Sequence, residues 1–125
     1  PIILHLGSEI YYSDNLLEYI KKDYFFPLGN SQRYLVEFSV SRHQKDLDEF
    51  IYNAGLENIE IVIAHPERYL HLSIDEILHL KNLGALLQVN EPSLQGKNGH
   101  QIKKRAKRLV TLGMVDFIAS DIHQL

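Results

Sequence analysis

This 125-residue sequence predicts an α/β fold built on a parallel sheet. Three observations carry that expectation. Apolar runs of strand length alternate with amphipathic helical segments, and strand ends recur at roughly 26 to 30 residues, a βα period. YLVEF, IVIAH and VDFIAS are nearly continuous apolar runs, as strands covered on both faces are. The period is close to that of a (β/α) barrel and is also possible for an open doubly wound sheet.

Taken in order, PIILHLGSEI (1–10) reads as the first strand. SDNLLEYIKK (13–22) follows as a helix, with Leu16, Leu17 and Ile20 on one apolar face behind polar capping residues. YLVEFSV (34–40) is the second strand. KDLDEFIYNAG (45–55) is a helix with Leu47, Phe50 and Ile51 inward, and Gly55 is placed to end it in a left-handed turn. IEIVIAH (59–65) is the third strand, IDEILHLKNLG (74–84) a helix closed by Gly84, and ALLQVN (85–90) the fourth strand. HQIKKRAKRLVTLG (100–113) is a helix with Ile102, Ala106, Leu109 and Val110 on one side and Gly113 at its end, before the last strand, VDFIAS (115–120). The order is βαβαβαβαβ, and PSLQGKNGH (92–100) is the one long loop-like segment.

With 45% hydrophobic residues the chain can build one core, so a single domain is expected over 1–125. A net charge of −3 provides no general attraction to nucleic acid or anionic membrane. No apolar run reaches the roughly 18 to 20 residues that span a bilayer, and the first residues lack a signal-peptide pattern, which points to a cytoplasmic protein. Cysteine is absent, which removes disulfides, thiolate metal sites and cysteine nucleophiles. The chain begins with Pro1, which suggests a piece of a longer protein.

In parallel α/β folds chemistry gathers at the carboxyl ends of the strands, where loops converge on one mouth. The polar residues at those ends are Glu9, Glu37, His65, Asn90, Asp121 and His123. Carboxylates and imidazoles among them form an oxygen and nitrogen set suited to zinc, manganese or iron. Each member also has a plainer reading. Glu37 inside LVEFSV reads also as an edge-strand carboxylate facing water, His65 as a hydrogen-bonded strand-end histidine, and Asp121 as the cap of a turn. What favours the functional reading is their joint placement on one rim. His43, His71, His79 and His100 read as solvated or loop-edge residues, Tyr11 and Tyr12 as surface or rim aromatics, and the KKRAKR run as a solvated helix face.

GSEIYY, LVEF, IAHPERY, GALLQVN followed by SLQGKNG, and the terminal VDFIASDIH resemble, in order and spacing, the bacterial protein-tyrosine phosphatases of the polymerase and histidinol phosphatase (PHP) superfamily. Those are manganese-dependent enzymes of capsule and exopolysaccharide operons. The resemblance covers essentially the whole chain. It implies a distorted (β/α) barrel of PHP type, here an incomplete one with about five parallel strands. It further implies divalent metal ions, most simply manganese, up to three in a complete domain, held by Glu9, Glu37, His65, Asp121 and His123. Arg68 of HPERY matches the arginine that contacts the substrate phosphate. The implied partner is the tyrosine-phosphorylated tail of a polysaccharide-export tyrosine kinase.

The chain departs from the family pattern at both ends, lacking an N-terminal His-x-His strand and the segment past the DxH. The resemblance therefore implies that this chain alone binds metal incompletely, has little activity, and self-associates through an open barrel edge. The residue types suit the chemistry. Hydrolysis of a phosphate monoester needs an activated water and neutralised phosphoryl charge, which divalent ions supply, while a planar guanidinium grips phosphate in bidentate fashion. Two other readings stand beside it: a phosphoesterase for a small phosphate monoester, and a metal-free binding or scaffold module.

Overall fold

Six parallel strands form one sheet in the computed structural model, which describes residues 2–5 as backbone and residues 9–29, 31–42 and 44–120 throughout. In chain order the elements are strands β1 (Ile2–His5) and β2 (Ile10–Tyr11), helix α1 (Leu16–Lys21), strand β3 (Arg33–Glu37), helix α2 (Leu47–Leu56) and strand β4 (Glu60–Ala64). A 3-10 turn (Pro66–Arg68), helix α3 (Ile74–Asn82), strand β5 (Leu86–Asn90), helices α4 (Glu91–Leu94) and α5 (His100–Thr111), and strand β6 (Phe117–Ser120) follow.

The strand order, β1-β6-β5-β4-β3-β2, separates the two architectures that the spacing allowed. From β2 to β6 each strand lies beside its predecessor with no reversal, which is the progression of a barrel, whereas a doubly wound sheet reverses at a switch point. The expected first strand over 1–10 is divided. Its first half, β1, pairs with β6, and its second half, β2, pairs with β3. Both lie toward the same end of the sheet, since His5 is in register with Ser120 and Tyr11 with Glu37, each the last residue of its strand. A flat six-stranded sheet would hold its edge strands about 24 Å apart, yet the five residues from His5 to Ile10 reach at most about 18 Å. The sheet therefore curves, and one run of chain joins its two edges. Five sequence-level strands become six because one run serves both sides.

Period-two alternation sorts the strand residues onto two faces. Tyr34, Val36, Ile61, Ile63, Leu87 and Val89 face the helices and join Leu16, Ile20, Phe50, Ile51, Ala54, Ile77, Leu80, Ala106 and Leu109 in the main core. Leu35, Val62, Ala64 and Phe117 form a small second cluster on the inner face, with Leu86 against it. At the amino end of that face Arg33 lies over the Phe117 ring at 5.6 Å and bonds Glu60 at 2.9 Å.

The helices form where the sequence placed them, with local differences. α3 opens on a reciprocal capping box, Ser73 Oγ accepting from Glu76 N–H and Glu76 accepting from Ser73 N–H. Gly84 and Gly113 take positive φ after their helices, as expected. Gly55 does not: it lies within α2, and the left-handed position falls three residues later, at Asn58 with φ 60°. Asparagine tolerates that conformation, so the helix runs on past the glycine. The segment expected as one long loop at 92–100 is helical at its start, because Pro92 suits the first turn of α4. Tyr11 is exposed, but Tyr12 is not a rim residue. Half-buried, its ring lies tilted at 5.2 Å from Phe38 and edge-on at 5.0 Å from Phe50, centre to centre, and so extends the main core. No helix of the described residues is long and apolar enough to cross a membrane.

Candidate metal centre

Three of the expected ligands meet at the carboxyl end of the sheet. Glu37 is the last residue of β3 and shares the inner face with Leu35. His65 follows β4 directly. Glu9 was expected at a strand end; it instead precedes the two-residue β2, because the first strand is divided, and it reaches the same rim through the pairing of Tyr11 with Glu37. One ligand atom from each of the three lies within 4.8 Å of the others. His65 Nε2 is 3.4 Å from Glu37 Oε1 and 4.0 Å from Glu9 Oε2. Asp121 and His123 lie outside the described residues, as does His43.

The backbone at His65 is bent to make this possible. His65 has φ 39° and ψ 59°, left-handed values that cost a non-glycine residue about 1–2 kcal/mol, and proline follows it. Strand alternation would continue His65 toward the helix side, after Ile61 and Ile63. The left-handed step ends the alternation and lets the ring meet Glu37. Three hydrogen bonds hold the step: His65 N–H to Gln88 O at 2.8 Å, Arg68 N–H to His65 O at 3.0 Å and Tyr69 N–H to Pro66 O at 3.1 Å. Strain concentrated at one residue and held by its surroundings is common at functional sites.

Electrostatics mark the cluster as short of positive charge. Burial pushes the Glu9 carboxyl up to about 7, helped by the hydrogen bond and charge of Glu37 and opposed by Arg68. Burial acts to raise Glu37 too, but the Glu9 hydrogen bond, His65 and Arg68 together hold it below the ordinary carboxylate value. The two carboxyls thus share a proton near neutrality. Burial depresses His65 despite the nearby Glu37 carboxylate, so the imidazole is neutral and its approach to the carboxylates is not an ion pair. Its Nδ1 is buried with no hydrogen-bond partner among the described residues. Two carboxyls and a neutral imidazole, each offering an atom to one point, are the donor set a divalent transition ion takes, and such an ion would offset the burial and the Glu37 charge that now keep a proton on Glu9. The residues present fit a metal.

Arg68, in the 3-10 turn, is half-buried and near enough to influence the ionisation of Glu9, Glu37 and His65. Around it lies a buried polar layer that the sequence reading did not single out. Glu67 is fully buried; desolvation raises its pKa, against Ser93 and the Asn90 amide, and its Oε2 accepts from Asn90 N–H at 3.1 Å. Gln88 is also fully buried and donates from Nε2 to Asn90 Oδ1 at 2.6 Å. The signal for Gln88 was present in ALLQVN, where Leu86, Gln88 and Asn90 share a parity opposite to Leu87 and Val89. Tyr69, buried, accepts from Phe38 N–H at 2.9 Å, next to Glu37 in the chain.

Two plainer readings also change. The KKRAKR face is not uniformly solvated: Lys104, Lys107 and Arg108 are exposed, but Arg105 is half-buried and donates to the backbone carbonyls of Pro66, Glu67 and Tyr69. His71 is half-buried beside Tyr69, whereas His79 is exposed, as expected, and bonds Asp48 at 2.9 Å. A cleft of about 520 Å³ between the starts of α2 and α3, lined by Asp46, Asp48, Asp75 and His79 among others, shares no residue with the cluster.

A family model described as "Capsular polysaccharide synthesis, CpsB/CapC" matches residues 1–125. The tyrosine-protein phosphatase CpsB of Streptococcus agalactiae is 32% identical over 126 residues, 95% of this chain and 52% of that protein. The tyrosine-protein phosphatase YwqE of Bacillus subtilis is 31% identical over 127 residues, 100% of this chain and 50% of that protein. In three dimensions the chain matches one from the crystal structures of YwqE from Bacillus subtilis and CpsB from Streptococcus pneumoniae, described as metal-dependent tyrosine phosphatases. The TM-score is 0.86 at 30% identity, covering 94% of this chain and 48% of the other. The chain spans about half the length of the curated relatives it matches.

Proposed function

The chain belongs to the CpsB/CapC family of capsular polysaccharide synthesis, and we propose that it contributes to a metal-dependent phosphotyrosine-protein phosphatase that regulates capsular or exopolysaccharide synthesis in the cytoplasm. The observation that carries this reading is the meeting of Glu9, Glu37 and His65 within 4.8 Å beside Arg68. Glu9, Glu37 and His65 would hold a divalent ion, manganese by preference, with Asp121 and His123 as further ligands. A bound divalent ion supplies a water acidified toward neutrality and charge neutralisation at the phosphoryl oxygens.

The chain's own residues do the rest. Neutral His65 presents Nε2 without first losing a proton, and Glu37, held ionised, offers negative charge to a cation. Arg68 binds and orients the phosphoryl group through its planar fork. The tyrosine-phosphorylated tail of a polysaccharide-export kinase is the proposed substrate, and the names of the relatives support the phosphotyrosine class.

The test compares a phosphotyrosyl peptide with small phosphate monoesters, with and without manganese, on the full-length protein and its Arg68→Ala variant. Metal-dependent turnover that favours the peptide is expected. Arg68→Ala should keep fold and metal content while losing about 10²- to 10³-fold in turnover and weakening inhibition by inorganic phosphate. Preference for a small monoester would overturn the substrate, and loss of metal in Arg68→Ala would overturn the role given to that arginine.

A further inference from the structure

With Glu9, Glu37 and His65 taken as metal ligands and Arg68 as the phosphate-binding group, the geometry points to Arg105 as a positioning residue that holds the His65–Arg68 turn in the shape the site needs. Arg105 lies on α5, remote in sequence from the turn. Its Nε donates to Glu67 O at 3.2 Å, and its Nη2 donates to Pro66 O at 3.3 Å and Tyr69 O at 3.1 Å. All three acceptors are main-chain carbonyls, two within the turn that His65 begins in a left-handed conformation and one on Tyr69, which closes it.

A guanidinium has the planar fork to span three carbonyls from one side, and an ammonium does not. The turn is held from β5 as well, since Glu67 Oε2 takes the N–H of Asn90 at the end of that strand. Tyr69 ties it to Phe38 beyond Glu37. Arg105 therefore closes a frame whose other members reach the strands carrying Glu37 and Asn90. Without it the three carbonyls lose their common donor, and the strained step at His65 has one fewer restraint against relaxing. Relaxation there moves His65 Nε2 away from Glu37 Oε1 and Arg68 away from the carboxylates.

Arg105→Lys, Arg105→Ala and the exposed neighbour Lys104→Ala, each in the full-length protein, test this at a temperature where every variant is folded. Manganese affinity by calorimetry should fall about tenfold in Arg105→Lys and at least as far in Arg105→Ala, the scale of losing an outer support of a metal site, and stay unchanged in Lys104→Ala. Millimolar guanidinium ion should restore part of the affinity of Arg105→Ala and do nothing for Arg105→Lys. The His65 side-chain NMR signals of the metal-free protein should shift in both Arg105 variants and not in Lys104→Ala. Unchanged affinity in Arg105→Lys and Arg105→Ala, or a loss that follows melting temperature alone with no rescue, overturns the assignment. Should the parent protein bind no manganese, the ligand reading fails separately, and the His65 signals decide Arg105: unshifted signals overturn its role, shifted ones support it.

Discussion

The two faces of the sheet are made from the same strands and do opposite work. The helix-facing side is a mostly apolar layer in which the side chains of Val36, Ile63, Leu87 and Val89 pack against helices. The inner side has a small apolar patch at Leu35, Val62, Ala64 and Phe117, and toward the carboxyl end it turns to Glu37, Gln88 and Asn90. Burial stabilises the first. In the second it raises the energy of charged and unpartnered groups, at the point where a cation would offset that cost. Alternation lets one five-residue strand serve both roles, since neighbouring residues such as Leu87 and Gln88 face opposite sides.

The largest expected effect breaks the outer face. Leu87 is completely buried, so Leu87→Ala should cost about 2–5 kcal/mol, read as a lower urea midpoint. Manganese affinity of the molecules that remain folded should be unchanged. A matching loss of affinity would mean that the two faces are not separable.

A smaller effect sharpens the inner face through pH. The Glu9 pKa is raised from 4.5 to about 7 in the fold, so between those values folded Glu9 keeps a proton that the unfolded chain has released. By linkage this contribution favours the fold at low pH, fades as pH rises through that window, and is a full penalty above about 7. Glu37, with a lowered pKa, contributes stability that is lost only as pH falls below the ordinary glutamate range. His65, also lowered, acts opposite to Glu9, because its neutral folded form loses stability as pH falls below 6.5. Glu9→Gln isolates the Glu9 share. In chelator, urea midpoints of this variant should gain on the parent from pH 5 to pH 8, and a constant difference would refute the raised pKa.

The smallest effect concerns Gln88. Its Oε1 is buried with no hydrogen-bond partner among the described residues, while its Nε2 serves Asn90 Oδ1. Gln88→Leu removes the unsatisfied acceptor and also the Asn90 donor, so the two changes should nearly cancel, within about 1 kcal/mol of the parent by thermal unfolding. A loss beyond about 2 kcal/mol would show that Oε1 has a donor and that this part of the inner face is fully satisfied.

Much of this was legible in the sequence because it depends on local pattern. The apolar runs placed β3, β4, β5 and β6, and the 3.6-residue period placed the helices with their buried faces, as at Ala106 and Leu109. His65 was readable as a rim residue because it closes an apolar run, Glu37 because a carboxylate interrupts one, and Arg68 because HPERY carries a family resemblance. Local pattern says nothing about which strands become neighbours. Only the tertiary structure paired Ile2–His5 with β6 and Ile10–Tyr11 with β3 and so chose the barrel progression, since pairing across more than a hundred residues leaves no mark on nearby spacing. It also decided that Asn58 and not Gly55 takes the left-handed position, that Glu67 is buried, and that Arg105 leaves a charged helix face to reach the turn. In the helical period Arg105 flanks the apolar stripe, three residues after Ile102 and four before Leu109, which allows half-burial but says nothing of what the guanidinium reaches. Its three acceptors are backbone carbonyls, present at every residue and therefore invisible in a sequence, and only the fold brings them within reach.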